Sequence, residues 1–216
     1  GELGALDEFE AQAATLLTNP KTRDAFDLSK EEPATRDRYG RNRWGQQLLL
    51  ARRLVEAGVE IVTSQLTGPL CGRTGVWDDH AVDHHIFDVL RFRMGNYDRA
   101  VTALIEDIFA RGLGRRVLVV VTGEFGRTPK VNGSAGRDHW SPVMSALVAG
   151  GGLKMGQAVG SSTARGERPK DRPYKVSNLL ATLYNAMGID PAQTFQNGNG
   201  RPMYVLDDRD LVTELV

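Results

Sequence analysis

The chain has 216 residues, a length suited to one domain, and 41% of them are hydrophobic, which is ordinary for a globular protein with a sizeable core. Lys plus Arg and Asp plus Glu each number 27, so the formal net charge is zero, which argues against nonspecific nucleic-acid binding through a basic face. The single cysteine excludes an internal disulfide or a multi-cysteine zinc site, and no run approaches the roughly 18 consecutive apolar residues of a membrane span.

Four stretches have the apolar spacing of amphipathic helices, and each is followed by a helix-ending signal, either Asn-Pro or glycine. In chain order they are residues 2–17, 42–57, 85–111 and 175–188. The charged segment that precedes the second helix has few apolar residues. We therefore expect residues 1–41 to form a helical and irregular extension.

Strand-like apolar runs alternate with these helices, at residues 59–66, 116–121 and 143–150, and a short one lies at 202–206. Such alternation predicts an α/β fold with a largely parallel sheet. We predict a single α/β domain over residues 1–216. The loops that follow parallel strands gather at one edge, where ligands bind, so the loops after 59–66 and 116–121 should share a rim.

These two loops hold all four histidines and many of the acidic residues. WDDHAVDHH spans residues 77–85, and TGEFGRTPKVNGSAGRDHW spans residues 122–140. Carboxylate and imidazole groups are ligands for divalent metals, so the pattern favours a metal site. The first cluster is also compatible with a solvated helix start, where the helix dipole favours aspartate.

Glu124 comes just after the apolar strand, where it can act as a metal ligand or a general base. Alternatively, it forms an ion pair with Arg127 or Arg137 that stitches the loop. The planar guanidinium groups of these two arginines also suit a phosphate or sulfate clamp. His139 is either a ligand or a half-buried packed histidine.

The block GEFGRTPKVNGSAGRDHW resembles a large family of uncharacterised bacterial domains within the alkaline-phosphatase-like, sulfatase-related superfamily. Further blocks match in the same order, among them AFDLSKEEPATRDRYGRNRWGQQLLLARRLVEAGVEIV, ALVAGGGLKMGQAVGSS and KVSNLLATLYNAMGID. The resemblance covers nearly the whole chain. It implies an alkaline-phosphatase-like α/β fold, with a largely parallel central sheet flanked by helices.

The resemblance also implies a ligand set for a divalent metal such as zinc, manganese or calcium. Its four expected ligands are Asp78, His80, Glu124 and His139. Phe125 stands where the superfamily has a ligating histidine, so one position of the usual two-metal site is lost. Arg127 and Arg137 are the expected anion-binding residues. Secondary candidates from the two clusters are Asp79, His84 and Asp138.

By resemblance, the domain is a metal-dependent hydrolase of small-molecule phosphate or sulfate esters with an extracytoplasmic location. The superfamily nucleophile lies in an N-terminal strand region for which we find no counterpart in this chain. We therefore expect a partial domain whose nucleophile lies outside it. The alternative is a non-enzymatic scaffold or binding domain that retains the fold and a degenerate metal site.

Overall fold

The computed structural model describes residues 10–11, 13–15, 18–70, 73–75, 77–80 and 85–216. We label its helices α1 (Pro20–Phe26), α2 (Pro33–Tyr39), α3 (Arg43–Glu56), α4 (Ile86–Ala110) and α5 (Val176–Ala186), and a 3-10 helix covers Leu28–Lys30. Its strands are β1 (Gly68–Leu70), β2 (Arg73–Gly75), β3 (Leu118–Thr122), β4 (Gly126–Arg127), β5 (His139–Trp140), β6 (Ala146–Gly150), β7 (Thr194–Gln196) and β8 (Pro202–Tyr204). No helix in this part of the chain combines the length and the apolar character needed to cross a membrane.

The chain divides into two compact units that interrupt each other in the sequence. The first consists of residues 1–79 and 84–110, and the second of residues 80–83 and 111–216. The first unit is mainly helical within its described residues, whereas the second holds α5 and six of the strands.

Helices α2, α3 and α4 pack together in the first unit. The side chain of Asn42 accepts a hydrogen bond from the backbone N–H of Gly45 at 3.1 Å and so caps the start of α3. The apolar faces of α3 and α4 supply much of the core, because their hydrophobic residues recur at helical spacing. The most buried of these residues are Trp44, Leu49, Ile86, Ala100, Val101, Ala103 and Ile108.

A buried ion-pair network joins the helices of this unit around Arg52 on α3. Its guanidinium nitrogens lie 2.7 Å from Glu31, 2.6 Å from Glu56 and 3.0 Å from Asp107 on α4. The hydroxyl of Tyr39, at the end of α2, donates to the Asp107 carboxylate at 2.9 Å. Since a buried charge is costly unless it is paired and hydrogen-bonded, this network fixes the relative positions of the three helices.

The environment of the network shifts the pKa of Glu31 and of Tyr39. Burial disfavours the charged form of Glu31, but the hydrogen bonds from Arg53 and Arg52 outweigh that effect and hold its pKa below the usual range. Burial, together with the Asp107 carboxylate, raises the pKa of the Tyr39 hydroxyl. Glu31 is therefore ionised and Tyr39 is protonated at neutral pH.

Strands β3 and β6 form the longest pair of the second unit. They run antiparallel, with Val120 opposite Val148. Helix α5 is tied to the C-terminal segment, because the Thr182 hydroxyl accepts a hydrogen bond from the backbone N–H of Val212 at 2.8 Å. The Asn178 side chain donates to Asp208 and to the carbonyl of residue 210.

The predicted helices over 42–57, 85–111 and 175–188 are confirmed as α3, α4 and α5. The apolar run at 116–121 overlaps β3, and the run at 143–150 contains β6. Of the helix predicted over 2–17, the described residues 10, 11 and 13–15 are helical. The prediction of a strand over 59–66 is wrong, because residues 61–67 are irregular and β1 begins at Gly68.

Strand pairing among the described residues is antiparallel in each of the four two-stranded sheets. Between β3 and β6 the chain forms the β4–β5 loop rather than a crossover helix, and a loop connection allows antiparallel pairing. The large parallel sheet and the single alkaline-phosphatase-like domain over 1–216 remain predictions.

Candidate metal centre

The segment that carries the first acid and histidine cluster is anchored in the first unit by Trp77. The Trp77 ring stacks on Trp44, with 5.6 Å between centroids, and meets the edge of Tyr97 at 6.0 Å. Its indole N–H donates to the carbonyl of Leu66 at 2.6 Å. These contacts fix the backbone immediately before Asp78, because stacked and edge-on aromatic pairs prefer defined geometries.

Asp79 forms a buried ion pair with Arg93 on α4. Both carboxylate oxygens lie 2.6 Å from one guanidinium nitrogen, and the side chains of Arg93 and Asp79 are 0% and 6% exposed. The neighbouring Asp78 and His80 are exposed. Asp79 therefore anchors the segment from inside, while its two neighbours face solvent.

In the second unit, β4 and β5 hold the loop that carries the other cluster. Arg127 lies opposite His139 in the antiparallel ladder, so their side chains share a face. The Arg127 guanidinium donates to the carbonyl of Arg137 at 3.1 Å, and Arg137 donates to the carbonyls of Arg127 and Thr128. The two arginines thus stitch the loop through backbone carbonyls, whereas the sequence suggested a carboxylate partner at Glu124.

Gly126 is required where β4 passes close to the chain that follows β5. A Cβ atom at this position would lie 1.8 Å from the carbonyl oxygen of Val143, far inside the van der Waals limit. A side chain at position 126 would therefore displace either β4 or the chain around Val143.

Asn132 links the two clusters within the second unit. Its side-chain nitrogen donates to the carbonyl of His80 at 2.6 Å and to the carboxylate of Asp138 at 2.9 Å. Its side-chain oxygen accepts hydrogen bonds from the backbone N–H groups of Ser134 and Gly136 at 2.9 and 3.0 Å. A single amide group thereby closes the loop and holds His80 beside it.

His80 and His139, which are distant in the sequence, come together in this unit. Their ring centroids are 5.7 Å apart, and a ring nitrogen of one lies within 4.8 Å of a ring nitrogen of the other. The ring of Phe125 lies 4.4 Å from that of His139. Asp78 belongs to the first unit, but it is only two residues before His80, so the chain keeps the two Cα atoms within about 7 Å. Within the second unit, His80 and His139 belong to the group of possible metal ligands found in the described part of the chain, and Asp78 precedes His80 in the sequence.

The other predicted site residues lie elsewhere or are engaged. Glu124 is exposed and does not join the group of possible ligands, so its role as a ligand remains a prediction. Asp138 accepts the hydrogen bond from Asn132, and its backbone pairs with Thr128. Asp79 is bound by Arg93. His84 lies outside the described residues.

Sequence reasoning did not single out Asn132 and Arg93. Asn132 begins the turn-forming sequence Asn-Gly-Ser in VNGSAG, and an asparagine in that setting is a signal for a side chain that closes a turn. Arg93 carries no such local signal. Its charge lies within the apolar face of a predicted helix, and only the fold shows that Asp79 compensates it.

Comparison with known proteins gives one family. A family model described as protein of unknown function (DUF1501) matches residues 2–216. No curated protein and no solved structure matches the chain.

Proposed function

We propose that this chain, which belongs to the DUF1501 family of proteins of unknown function, carries the metal site of a hydrolase of phosphate or sulfate esters that resembles the alkaline-phosphatase-like superfamily. The observation that carries the proposal is the approach of the His80 and His139 ring nitrogens to within 4.8 Å. The carboxylate-bearing residue Asp78 is exposed and lies two residues before His80.

The donor set fits a borderline divalent cation. Zinc binds imidazole nitrogen at about 2.0–2.1 Å and carboxylate oxygen at about 2.0–2.2 Å, so two histidines that share one ion have nitrogens about 3–4 Å apart. The His80 and His139 nitrogens lie within 4.8 Å of each other, and both side chains are exposed. Zinc is thus the preferred ion, with manganese and calcium as alternatives that favour oxygen ligands more strongly.

Residues of the loop itself would position an anionic ester. A bound divalent ion supplies Lewis-acid stabilisation of charge on the phosphoryl or sulfuryl group. Arg127 lies opposite His139 on the same face of the ladder, where its positive charge favours an anion next to the histidines. Arg137 uses Nε and Nη2 on loop carbonyls, and a guanidinium has five N–H donors in all. Its remaining donors can bind an anion without loss of the loop contacts.

Metal binding is tested by titration calorimetry with zinc, manganese and calcium, together with metal analysis of the dialysed protein. We expect wild type to bind zinc and the His80→Ala/His139→Ala variant to lose that binding. His85→Ala is the matched control, because His85 is also exposed but stacks on Phe87 with 5.3 Å between centroids. If the double variant retains as much zinc as wild type, the proposed site is wrong.

Hydrolysis is tested with aryl phosphates and aryl sulfates, in the presence of the metal that binds, on a protein that also contains the expected nucleophile region. We expect turnover, and we expect Asp78→Asn to abolish it, because a neutral amide cannot replace a negatively charged carboxylate as a ligand for a divalent cation. His85→Ala should leave turnover unchanged.

A second candidate function is a non-enzymatic scaffold or binding domain. Two observations favour it: the Phe125 ring lies 4.4 Å from His139, and Arg127 and Arg137 donate to loop carbonyls. Zinc binding without turnover of any aryl ester would favour this function. Turnover that depends on Asp78 would eliminate it.

A further inference from the structure

We propose that Asn132 is a positioning residue for the metal centre, and that its side-chain nitrogen sets the position of His80 relative to His139. This inference rests on the proposed metal site. Asn132 acts through the backbone of His80, whose carbonyl accepts a hydrogen bond from the Asn132 side-chain nitrogen.

The Asn132 side chain makes four hydrogen bonds, two through its oxygen and two through its nitrogen, and the two atoms serve different functions. The oxygen accepts from the backbone N–H groups two and four residues further on, at Ser134 and Gly136, and so closes the local turn. The nitrogen donates to His80, 52 residues earlier in the chain, and to Asp138, which directly precedes His139. The nitrogen therefore joins the backbone of one histidine to the neighbour of the other.

The same turn occurs a second time in the chain, at Asn197 between β7 and β8. The Asn197 oxygen accepts from the backbone N–H groups of Asn199 and Arg201, both at 3.0 Å, again two and four residues further on. The backbone bonds also correspond, since the N–H of Asn132 donates to the carbonyl of Gly136 and that of Asn197 to the carbonyl of Arg201.

What differs between the two turns is the use of the side-chain nitrogen. At Asn197 it lies 3.5 Å from the sulfur of Met203, six residues away, which is a weak local contact. At Asn132 it binds a carbonyl and a carboxylate. Since turn closure requires only the oxygen, the nitrogen of Asn132 is the part that serves the site.

The test exchanges two side chains. Asn132→Asp keeps an oxygen for the turn and removes the donor to His80, and Asp138→Asn in the same molecule restores the net charge. The Asp138→Asn substitution also supplies an amide N–H donor, so the hydrogen bond between the side chains at positions 132 and 138 can still form with its direction reversed. Asn197→Asp is the matched control for the turn itself.

Zinc affinity is measured by calorimetry, and backbone amide exchange of the peptide that contains His80 is measured in the metal-free protein. We expect the exchanged variant to bind zinc about 10- to 100-fold more weakly than wild type, as is usual when a residue that orients a metal ligand is lost. Exchange in the His80 peptide should be faster. Asn197→Asp should leave both quantities at the wild-type values.

The outcomes separate this inference from the proposed function. If wild type binds zinc and the exchanged variant binds it equally well with unchanged amide exchange, Asn132 has no positioning role and the proposed function stands. If wild type binds no metal, the proposed function fails, while faster exchange in the His80 peptide of the variant still shows that Asn132 holds this segment.

Discussion

The buried pair of Asp79 and Arg93 gives the sharpest prediction for stability. Arg93→Met removes the charge and keeps an unbranched side chain of moderate volume. The carboxylate of Asp79, 6% exposed in the wild type, then loses the guanidinium that lies 2.6 Å from both of its oxygens. The variant therefore tests what it costs to leave Asp79 buried without this partner.

The expected cost follows from two opposing terms. At 2.6 Å, opposite unit charges attract each other by about 6 kcal/mol at an effective dielectric constant of about 20. Desolvation of the two ions costs several kcal/mol each, so the pair as a whole contributes little net stability. Removal of one partner abolishes the attraction and leaves the desolvation of the other. We expect Arg93→Met to lower the free energy of unfolding by about 3–5 kcal/mol.

The measurement is a double-mutant cycle of Arg93→Met, Asp79→Asn and the combined variant. Urea unfolding is followed by far-UV circular dichroism, which reports the helices of the first unit. The combined variant should lose much less stability than the sum of the two single losses, because neither buried charge remains. A loss below about 1 kcal/mol in Arg93→Met, with coupling near zero, would refute the reasoning.

Three further predictions concern the two units separately. Because the pKa of Glu31 is held below its ordinary value of 4.5, its ionised form stabilises the fold above that value, and this contribution is lost as the pH falls through the lowered pKa. Glu31→Gln should therefore weaken the pH dependence of the urea unfolding midpoint between about pH 3 and pH 7. Tyr39→Phe removes the hydroxyl donor to buried Asp107 and should cost about 1–3 kcal/mol in urea unfolding. Gly126→Ala forces a Cβ atom against Val143 and should cost about 1–3 kcal/mol by the same assay.

Each of these predictions has an outcome that contradicts it. An acid dependence of stability that is identical in wild type and Glu31→Gln would show that this carboxylate does not titrate with folding. Equal stability of wild type and Tyr39→Phe would show that the hydroxyl contributes nothing net to the Arg52 network. A Gly126→Ala protein as stable as wild type would show that β4 and the chain at Val143 can separate without cost.

Helix positions were predictable from sequence because helical periodicity is local. The apolar spacing of α3, α4 and α5 and the glycines that follow them are properties of a few neighbouring residues. Strand pairing was less accessible, since it depends on partners far away in the chain. In the irregular segment 61–67, the carbonyls of Leu66 and Thr67 accept hydrogen bonds from the indole groups of Trp77 and Trp44, an arrangement that the alternating pattern of residues 59–66 does not reveal.

The candidate site was predictable in its residue types and less so in its connections. The acid and histidine clusters pointed to His80 and His139, which the structure brings together, but the sequence attributed their approach to parallel strands. In the structure, the β4–β5 pair and the side chain of Asn132 provide it. Asp79 could not be distinguished from Asp78 by residue type alone. The two differ in the fold, where Asp79 is buried and paired with Arg93 while Asp78 is exposed.

The discontinuity of the two units determines how the protein can be dissected. His80 belongs to a short stretch of the second unit, residues 80–83, that is encoded between two stretches of the first, whereas His139 lies in the continuous stretch 111–216. A fragment that begins at residue 111 would carry one histidine without the other, and a fragment that ends at residue 110 would do the same in reverse. A fragment must therefore contain both residues 80–83 and residues 111–216 to include His80 and His139 together. No single cut in the chain separates the two units into complete fragments.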